Sequence, residues 1–171
     1  SAFSTLLIIY SSYHTLRSKN YSISRNLVYL NLFQITFAIS SFFLLILSFV
    51  FSDFSLLSVY QNSHTTKPIF YKISGVWGNH EGSLLLWVNI MIIFSYFFFT
   101  FNRDTEKKFR LYTLLIQNIL IVGFLIFLLM DSNPFTKIVP IPKEGLGLNP
   151  ILQDPALAIH PPLLYVGFVG S

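Results

Sequence analysis

Residues 27–51, LVYLNLFQITFAISSFFLLILSFVF, decide the fold of this chain. These 25 residues contain no charged side chain, and only Asn, Gln, Ser, Thr and Tyr interrupt the aliphatic and Phe side chains. A helix needs roughly 20 apolar residues to cross the hydrocarbon core of a bilayer. The stretch therefore predicts a membrane-spanning helix.

Further apolar runs lie on both sides of this helix. Residues 83–101 and 111–130 are long enough to span a bilayer, residues 2–13 form a partial span, and residues 162–171 begin a span that is cut short. Charged residues make up 11% of the chain and collect between these runs, whereas a soluble domain carries about 25%. We expect an all-α, polytopic transmembrane helix bundle of about four to five spans, with residues 1–171 in a single membrane domain.

The Lys and Arg residues fall mainly in two short loops. Residues 14–26 and 102–110 together carry seven of them, whereas the longer connections 52–74 and 131–160 carry four. Basic loops stay on the cytoplasmic or matrix side of a membrane. We therefore expect His160 and the motif described below to face the periplasm or the intermembrane space. Membrane orientation, and not nucleic-acid binding, then explains the net charge of +4.

Composition narrows the chemistry and indicates an origin. The chain has no cysteine, which excludes disulfides, thiolate metal sites and thiol redox reactions. Its bias towards Phe, Ile, Asn, Tyr and Lys fits an A/T-rich genome such as that of a mitochondrion. The sequence has no initiator methionine and stops within an apolar run, so we expect a split gene product or part of a longer polypeptide.

A polar motif at residues 75–87, Gly-Val-Trp-Gly-Asn-His-Glu-Gly-Ser-Leu-Leu-Leu-Trp, runs into an apolar segment. If helical, it places five side chains on one face about 120° wide: Trp77, His80, Glu81, Leu84 and Trp87. Flat aromatic surfaces suit a flat hydrophobic ligand, and a histidine can ligate iron. Glycines at 75, 78 and 82 would allow close backbone approach. The motif indicates a ligand-binding face.

Interpretations of this motif that involve no ligand stay open. Tryptophan at a membrane boundary is commonly an interfacial anchor. The His80–Glu81 pair can simply cap a helix or hold a loop. The zinc-protease motif H-E-x-x-H is excluded, because Leu84 stands where the second histidine is required.

A second polar motif, His-Pro-Pro at residues 160–162, precedes the last apolar run. A residue before proline is biased to an extended backbone, so we expect His160 at the last non-helical position before a span. There its imidazole could ligate a haem iron at the membrane surface, or it could merely cap a helix. Upstream, the Asn-Pro pair at 149–150 and the Asp-Pro pair at 154–155 each predict a helix start.

Four motifs together resemble the CcmF family of cytochrome c maturation proteins. They are residues 75–87, Asp-Ser-Asn-Pro-Phe at 131–135, Gly-Leu-Asn-Pro-Ile-Leu-Gln-Asp-Pro at 147–155 and His-Pro-Pro-Leu-Leu-Tyr-Val-Gly-Phe-Val-Gly at 160–170. The resemblance implies a polytopic subunit of a membrane haem lyase complex. Such a subunit receives haem b from a haem chaperone and, with other maturation subunits, helps attach it to the Cys-x-x-Cys-His motif of apocytochrome c.

The resemblance also implies roles for individual residues. His160 would be an axial ligand of the haem iron in transit. The residues implied in haem contact or support are Trp77, His80, Glu81, Trp87, Pro161 and Tyr165. The family's tryptophan-rich segment and the histidines of its resident haem have no counterpart in these 171 residues. The chain alone is therefore expected neither to complete the site nor to be active.

Two rival functions belong to other classes. A non-catalytic scaffold would dock partner subunits of the maturation complex through its Phe-rich spans, with the motifs serving helix packing. A transporter or channel subunit would place Glu81 in an ion path, but no charged series crosses the bilayer. The expected location is the mitochondrial inner membrane, with a bacterial inner membrane as the alternative.

Overall fold

A computed structural model describes residues 2–19, 21 and 23–170, and within these ranges the chain is helical without β-strands. The helices are α1 Ala2–Arg17, α2 Arg25–Val50, α3 Leu57–Asn62, α4 Ile69–Gly75, α5 His80–Phe101, α6 Lys107–Met130 and α7 Pro155–Gly170, with a 3-10 turn at Pro150–Gln153. The predicted fold class, an all-α membrane helix bundle, is confirmed.

In the part of the chain that the structure describes, three helices, α2, α5 and α6, are long and apolar enough to cross a membrane, and α7 is apolar but shorter. The predicted spans start at 83, 111 and 162, inside helices that begin at His80, Lys107 and Pro155. Hydropathy detects the part of a helix that lies in hydrocarbon, whereas a helix continues into polar turns wherever its first amides find acceptors.

The chain divides into two compact units. One contains residues 1–40 and 88–126, and the other contains residues 41–87 and 127–171. In the first unit, the buried side chain of Gln34 donates through Nε2 to Thr5 Oγ1 at 2.8 Å and to Asn118 Oδ1 at 2.7 Å. These bonds join α1, α2 and α6, because polar groups in an apolar interior must find partners in neighbouring helices.

The two basic loops belong to the same end of this first unit. One of its apolar clusters contains Ile8 from the middle of α1, Leu27 from the start of α2, Phe99 from the end of α5, and Leu111 and Leu114 from the start of α6. Lys108 on the second loop lies 6.0 Å from the ring of Tyr21 on the first. The two loops thus lie together, as the positive-inside argument requires.

In the second unit, the two longer connections pair with each other. The amide of Leu57 donates to the carbonyl of Thr136 at 2.8 Å, and that of Ile138 donates to Ser55 at 2.9 Å. The first connection contains two short helices, α3 and α4. Beneath it lies a core of Leu45, Phe49, Phe54, Leu56, Val59, Val76, Leu85 and Leu128.

The carboxylate of Glu144 also links the two longer connections by hydrogen bonds. Glu144 accepts from Thr65 Oγ1 at 2.6 Å and from the amides of Thr65 and Gly145, each at 3.0 Å. These hydrogen bonds favour the ionised form and lower the pKa of Glu144 to about 2, and His64, 3.9 Å away, adds to the effect.

The contact made by Glu144 is expected to depend on pH. Its pKa is about 2 in the fold, against an ordinary value of 4.5. The stabilisation is therefore fully present above about pH 4.5 and is lost as pH falls towards 2. Glu144→Gln should let pepsin cleave residues 131–154 faster than in the wild type at about pH 4, and the difference in rate should become much smaller at about pH 2. A difference in rate that is as large at the lower pH would contradict the carboxylate as the cause.

Candidate functional site

A tight corner between α4 and α5 shapes the first motif, and Asn79 holds it. The Asn79 carbonyl oxygen Oδ1 accepts from the Gly82 amide at 2.8 Å, which caps the start of α5. Its Nδ2 donates to the carbonyls of Gly75 at 2.9 Å and Val76 at 3.1 Å, which caps the end of α4. No role was predicted for Asn79, although asparagine before a helical run is a recognisable N-cap signal.

Gly82 is required at this corner by close backbone approach, as predicted. A Cβ built on it would lie 1.7 Å from the Val76 carbonyl oxygen, far inside van der Waals contact. The predicted five-residue helical face is wrong in one respect. Trp77 lies in the turn before α5, because Asn79 starts the helix at His80. Only the other four residues belong to one helix.

His80 is exposed at the first turn of α5 and faces the end of α6. Its Nδ1 lies 3.2 Å from Ser132 Oγ, and its ring stands edge-on to Phe127 with 6.1 Å between centroids. This geometry agrees with the interpretation in which the histidine holds a loop. Glu81 is partly buried and lines a cleft of about 210 Å³ with Leu57, Ser58, Asp131, Asn133 and Thr136.

The second motif lies inside α7, and the expectation of an extended His160 is wrong. Asp154 Oδ1 accepts from the amides of Ala156 at 2.8 Å and Leu157 at 3.1 Å, so the helix already begins at Pro155. The extended bias before proline is only a preference, and a capped helix overrides it. Both predicted helix starts, at 150 and 155, are confirmed.

Two prolines inside α7, Pro161 and Pro162, remove helical hydrogen bonds. Pro162 has no amide hydrogen for the carbonyl four residues earlier, which belongs to Ala158. That carbonyl instead accepts from Trp77 Nε1 at 2.7 Å. The tryptophan of the first motif thus replaces the bond that the second motif deletes. Neither motif alone indicates this link, because it joins positions 81 residues apart.

The same side of α7 makes further contacts with α5. The Tyr165 hydroxyl lies 2.5 Å from Ser83 Oγ. The ring of Trp87 meets Tyr165 edge-on at 4.8 Å and packs at an angle on Phe168 at 5.5 Å between centroids. Trp77, Trp87 and Tyr165 therefore hold α7 in place through internal contacts.

The other side of α7 is open. His160 is exposed, and at 100° per residue it lies about 160° around the helix from Ala158. Its neighbours on this side are Leu157, Leu163 and Leu164, exposed by 44%, 65% and 51%. A Cβ built on Gly167, two turns further along, meets nothing within 4 Å. This side presents one imidazole on a smooth apolar surface.

The predicted site residues thus form separate groups. Trp77 and Trp87 contact the held side of α7, which carries Tyr165, whereas His160 lies on the open side of the helix. Pro161 is partly buried. His80 and Glu81 face the end of α6 and its following loop. Across the described ranges, no group of three His, Cys, Asp or Glu side chains is placed to hold a metal ion. Haem contact by these residues stays a prediction.

Comparison with known proteins places these motifs in a family. The cytochrome c assembly protein family matches residues 77–171. The chain is 51% identical to the cytochrome c-type biogenesis protein CycK of Rhizobium meliloti over 76% of its own length and 19% of the relative's. It is 44% identical to CcmF of Escherichia coli over 76% of its length and 20% of the relative's. No solved structure matches.

The shared region is a small part of those relatives. A third relative, the cytochrome c-type biogenesis protein ccl1 of Rhodobacter capsulatus, is 51% identical over 72% of this chain and 19% of its own length. The chain thus spans about a fifth of the curated relatives that it matches. The match covers the α4–α5 corner from Trp77 onwards and the whole of α7. The chain belongs to the cytochrome c assembly protein family.

Proposed function

We propose that this chain is part of a haem lyase subunit that presents haem, as a substrate, for covalent attachment to apocytochrome c. His160 supplies an axial ligand to the haem iron. The observation that carries the proposal is the division of α7 into two sides. One side is fixed by Trp77 and Tyr165, and the other leaves the His160 imidazole exposed.

The open side of α7 suits the flat, apolar face of a porphyrin. Leu163 and Leu164 give an apolar surface next to the imidazole, and Gly167 leaves space where a side chain would project. A histidine is a common haem-iron ligand. The haem supplies the vinyl groups that react with cysteine thiols, whereas the protein supplies binding and orientation. The roles of this chain are to hold the iron and to fix the direction from which apocytochrome c approaches.

The hydrogen bonds between the two longer connections support the placement of His80 and His160 on the same side of the membrane. By the positive-inside rule, we infer that this side faces the intermembrane space or periplasm. The proposed membrane is the mitochondrial inner membrane, with the bacterial inner membrane as the alternative. The proposed partners are a haem chaperone, apocytochrome c and the maturation subunits that carry the remaining haem ligands.

The test is haem retention by the assembly that contains this chain. His160→Ala should abolish the absorption of histidine-ligated haem at this site and release the haem to a competing apoprotein at least about tenfold faster. His14→Ala, an exposed histidine in α1, is the matched control and should leave haem retention unchanged. An unaltered spectrum and release rate in His160→Ala would exclude the ligand role.

A scaffold function is the second candidate, favoured by one observation. Trp77, Trp87 and Tyr165 are occupied by contacts within the chain, so the motifs serve packing whatever else they do. Under this alternative, the chain copurifies with a haem-containing partner, and haem content is insensitive to His160→Ala.

A further inference from the structure

A cleft between α1 and α6 lies at the basic end of the first unit, whereas both motifs belong to the second unit. It has a volume of about 600 Å³ and is lined by Tyr13, Leu16, Arg17, Tyr112 and Leu115. Leu16 and Leu115 are partly buried, whereas both tyrosines and Arg17 are exposed. The cleft therefore combines an apolar floor with a cationic and phenolic rim.

The rim has unused binding capacity. Among the described residues, Arg17 forms no ion pair, and the hydroxyls of Tyr13 and Tyr112 make no hydrogen bond. The surrounding loops, 14–26 and 102–110, carry seven Lys or Arg and only two acidic residues, Asp104 and Glu106. The excess positive charge attracts anions, and a guanidinium can bind a phosphate through two parallel hydrogen bonds.

We propose that this cleft binds the headgroup and upper acyl chain of an anionic phospholipid. Arg17 binds the phosphate, the hydroxyls of Tyr13 and Tyr112 donate to the headgroup, and Leu16 and Leu115 contact the acyl chain. Basic clefts between transmembrane helices are a recognised setting for anionic lipid headgroups.

The position of the cleft along the helices favours a lipid over a soluble anion. Arg17 is the last residue of α1, and Tyr112 lies five residues after the start of α6, about 7.5 Å along the axis. Tyrosine is enriched at this depth, where apolar chains meet headgroups. A soluble phosphate would leave the leucine floor unused, whereas a phospholipid uses both parts of the cleft.

The test measures lipid binding by the protein purified from membranes with its natural partners. Native mass spectrometry and thermal unfolding would compare added cardiolipin, phosphatidylcholine and inorganic phosphate. We expect cardiolipin alone to be retained and to raise the unfolding temperature. Arg17→Gln should weaken cardiolipin binding about fivefold. Arg17→Lys should weaken it less, because lysine keeps the positive charge but cannot form the two parallel hydrogen bonds that a guanidinium makes with a phosphate.

Arg103→Gln is the matched control, because Arg103 is exposed on the other basic loop outside the cleft. It should leave cardiolipin binding unchanged. Equal losses in the two glutamine variants would overturn the proposal in favour of diffuse charge attraction. Equal retention of phosphatidylcholine, or equal stabilisation by inorganic phosphate, would also overturn it. If Arg17→Gln fails to accumulate, Tyr112→Phe removes one hydroxyl while keeping the ring, and unchanged cardiolipin binding would count against the site.

Discussion

Gly82→Ala is expected to destabilise the second unit strongly. The new Cβ would lie 1.7 Å from the backbone carbonyl oxygen of Val76. That oxygen cannot move aside, since Asn79 binds both ends of the corner. We expect a loss of about 3 kcal/mol or more in stability, because backbone overlap cannot be relieved by a side-chain rotation. The measurement is membrane accumulation of the variant, followed by its thermal unfolding in detergent.

Gly123→Ala is the matched control for this variant. Gly123 lies in α6, where a Cβ meets nothing within 4 Å. Alanine has the higher helix propensity, so this variant should be as stable as the wild type or slightly more stable. Comparable accumulation of both variants would contradict the close approach at Gly82.

His160→Ala is expected to lower the yield of holocytochrome c to about a tenth or less, because an axial ligand is lost. The side chain is exposed, and no hydrogen bond joins it to another described residue, so the fold should tolerate its removal. The measurement is covalent haem in cytochrome c in cells that depend on this chain. Added imidazole should restore part of the yield by occupying the vacated position.

The Trp77→Phe variant distinguishes the positioning of α7 by Trp77 from the ligation of haem iron by His160. It removes the indole donor, which leaves the Ala158 carbonyl, already freed by Pro162, without its partner. An unsatisfied buried carbonyl is destabilising by about 1–3 kcal/mol, so α7 should shift and the yield should fall. Imidazole should not rescue this variant. If imidazole rescued both His160→Ala and Trp77→Phe, or neither of them, the assignment of ligation to His160 and of positioning to Trp77 would be contradicted.

Much of the fold was predictable because the apolar character of a continuous segment decides whether that segment forms a membrane-spanning helix. A run without charges, such as residues 27–51, can lower its free energy in lipid only as a helix with its backbone bonded internally. The placement of both basic loops at one end was also predictable from charge. The helix boundaries could not be predicted from hydropathy, because the N-caps Asn79 and Asp154 extend α5 and α7 into polar sequence.

The candidate site was predictable only in part. His160 could be singled out because a histidine beside an apolar run is conspicuous, but its helical conformation was missed. Asn79 could have been recognised as an N-cap. Ser83 and Ala158 carried no signal, since their importance depends on a tyrosine and a tryptophan about 80 residues distant.

The amino-acid sequence by itself determined the helical membrane class, the grouping of charge and the two motifs, because each follows from the local free energy of transfer and from short-range backbone preferences. Only the tertiary structure decided which side of α7 is held and which is open. That choice depends on an indole from the α4–α5 corner reaching a carbonyl that a proline has freed, and such complementarity exists only when distant segments meet.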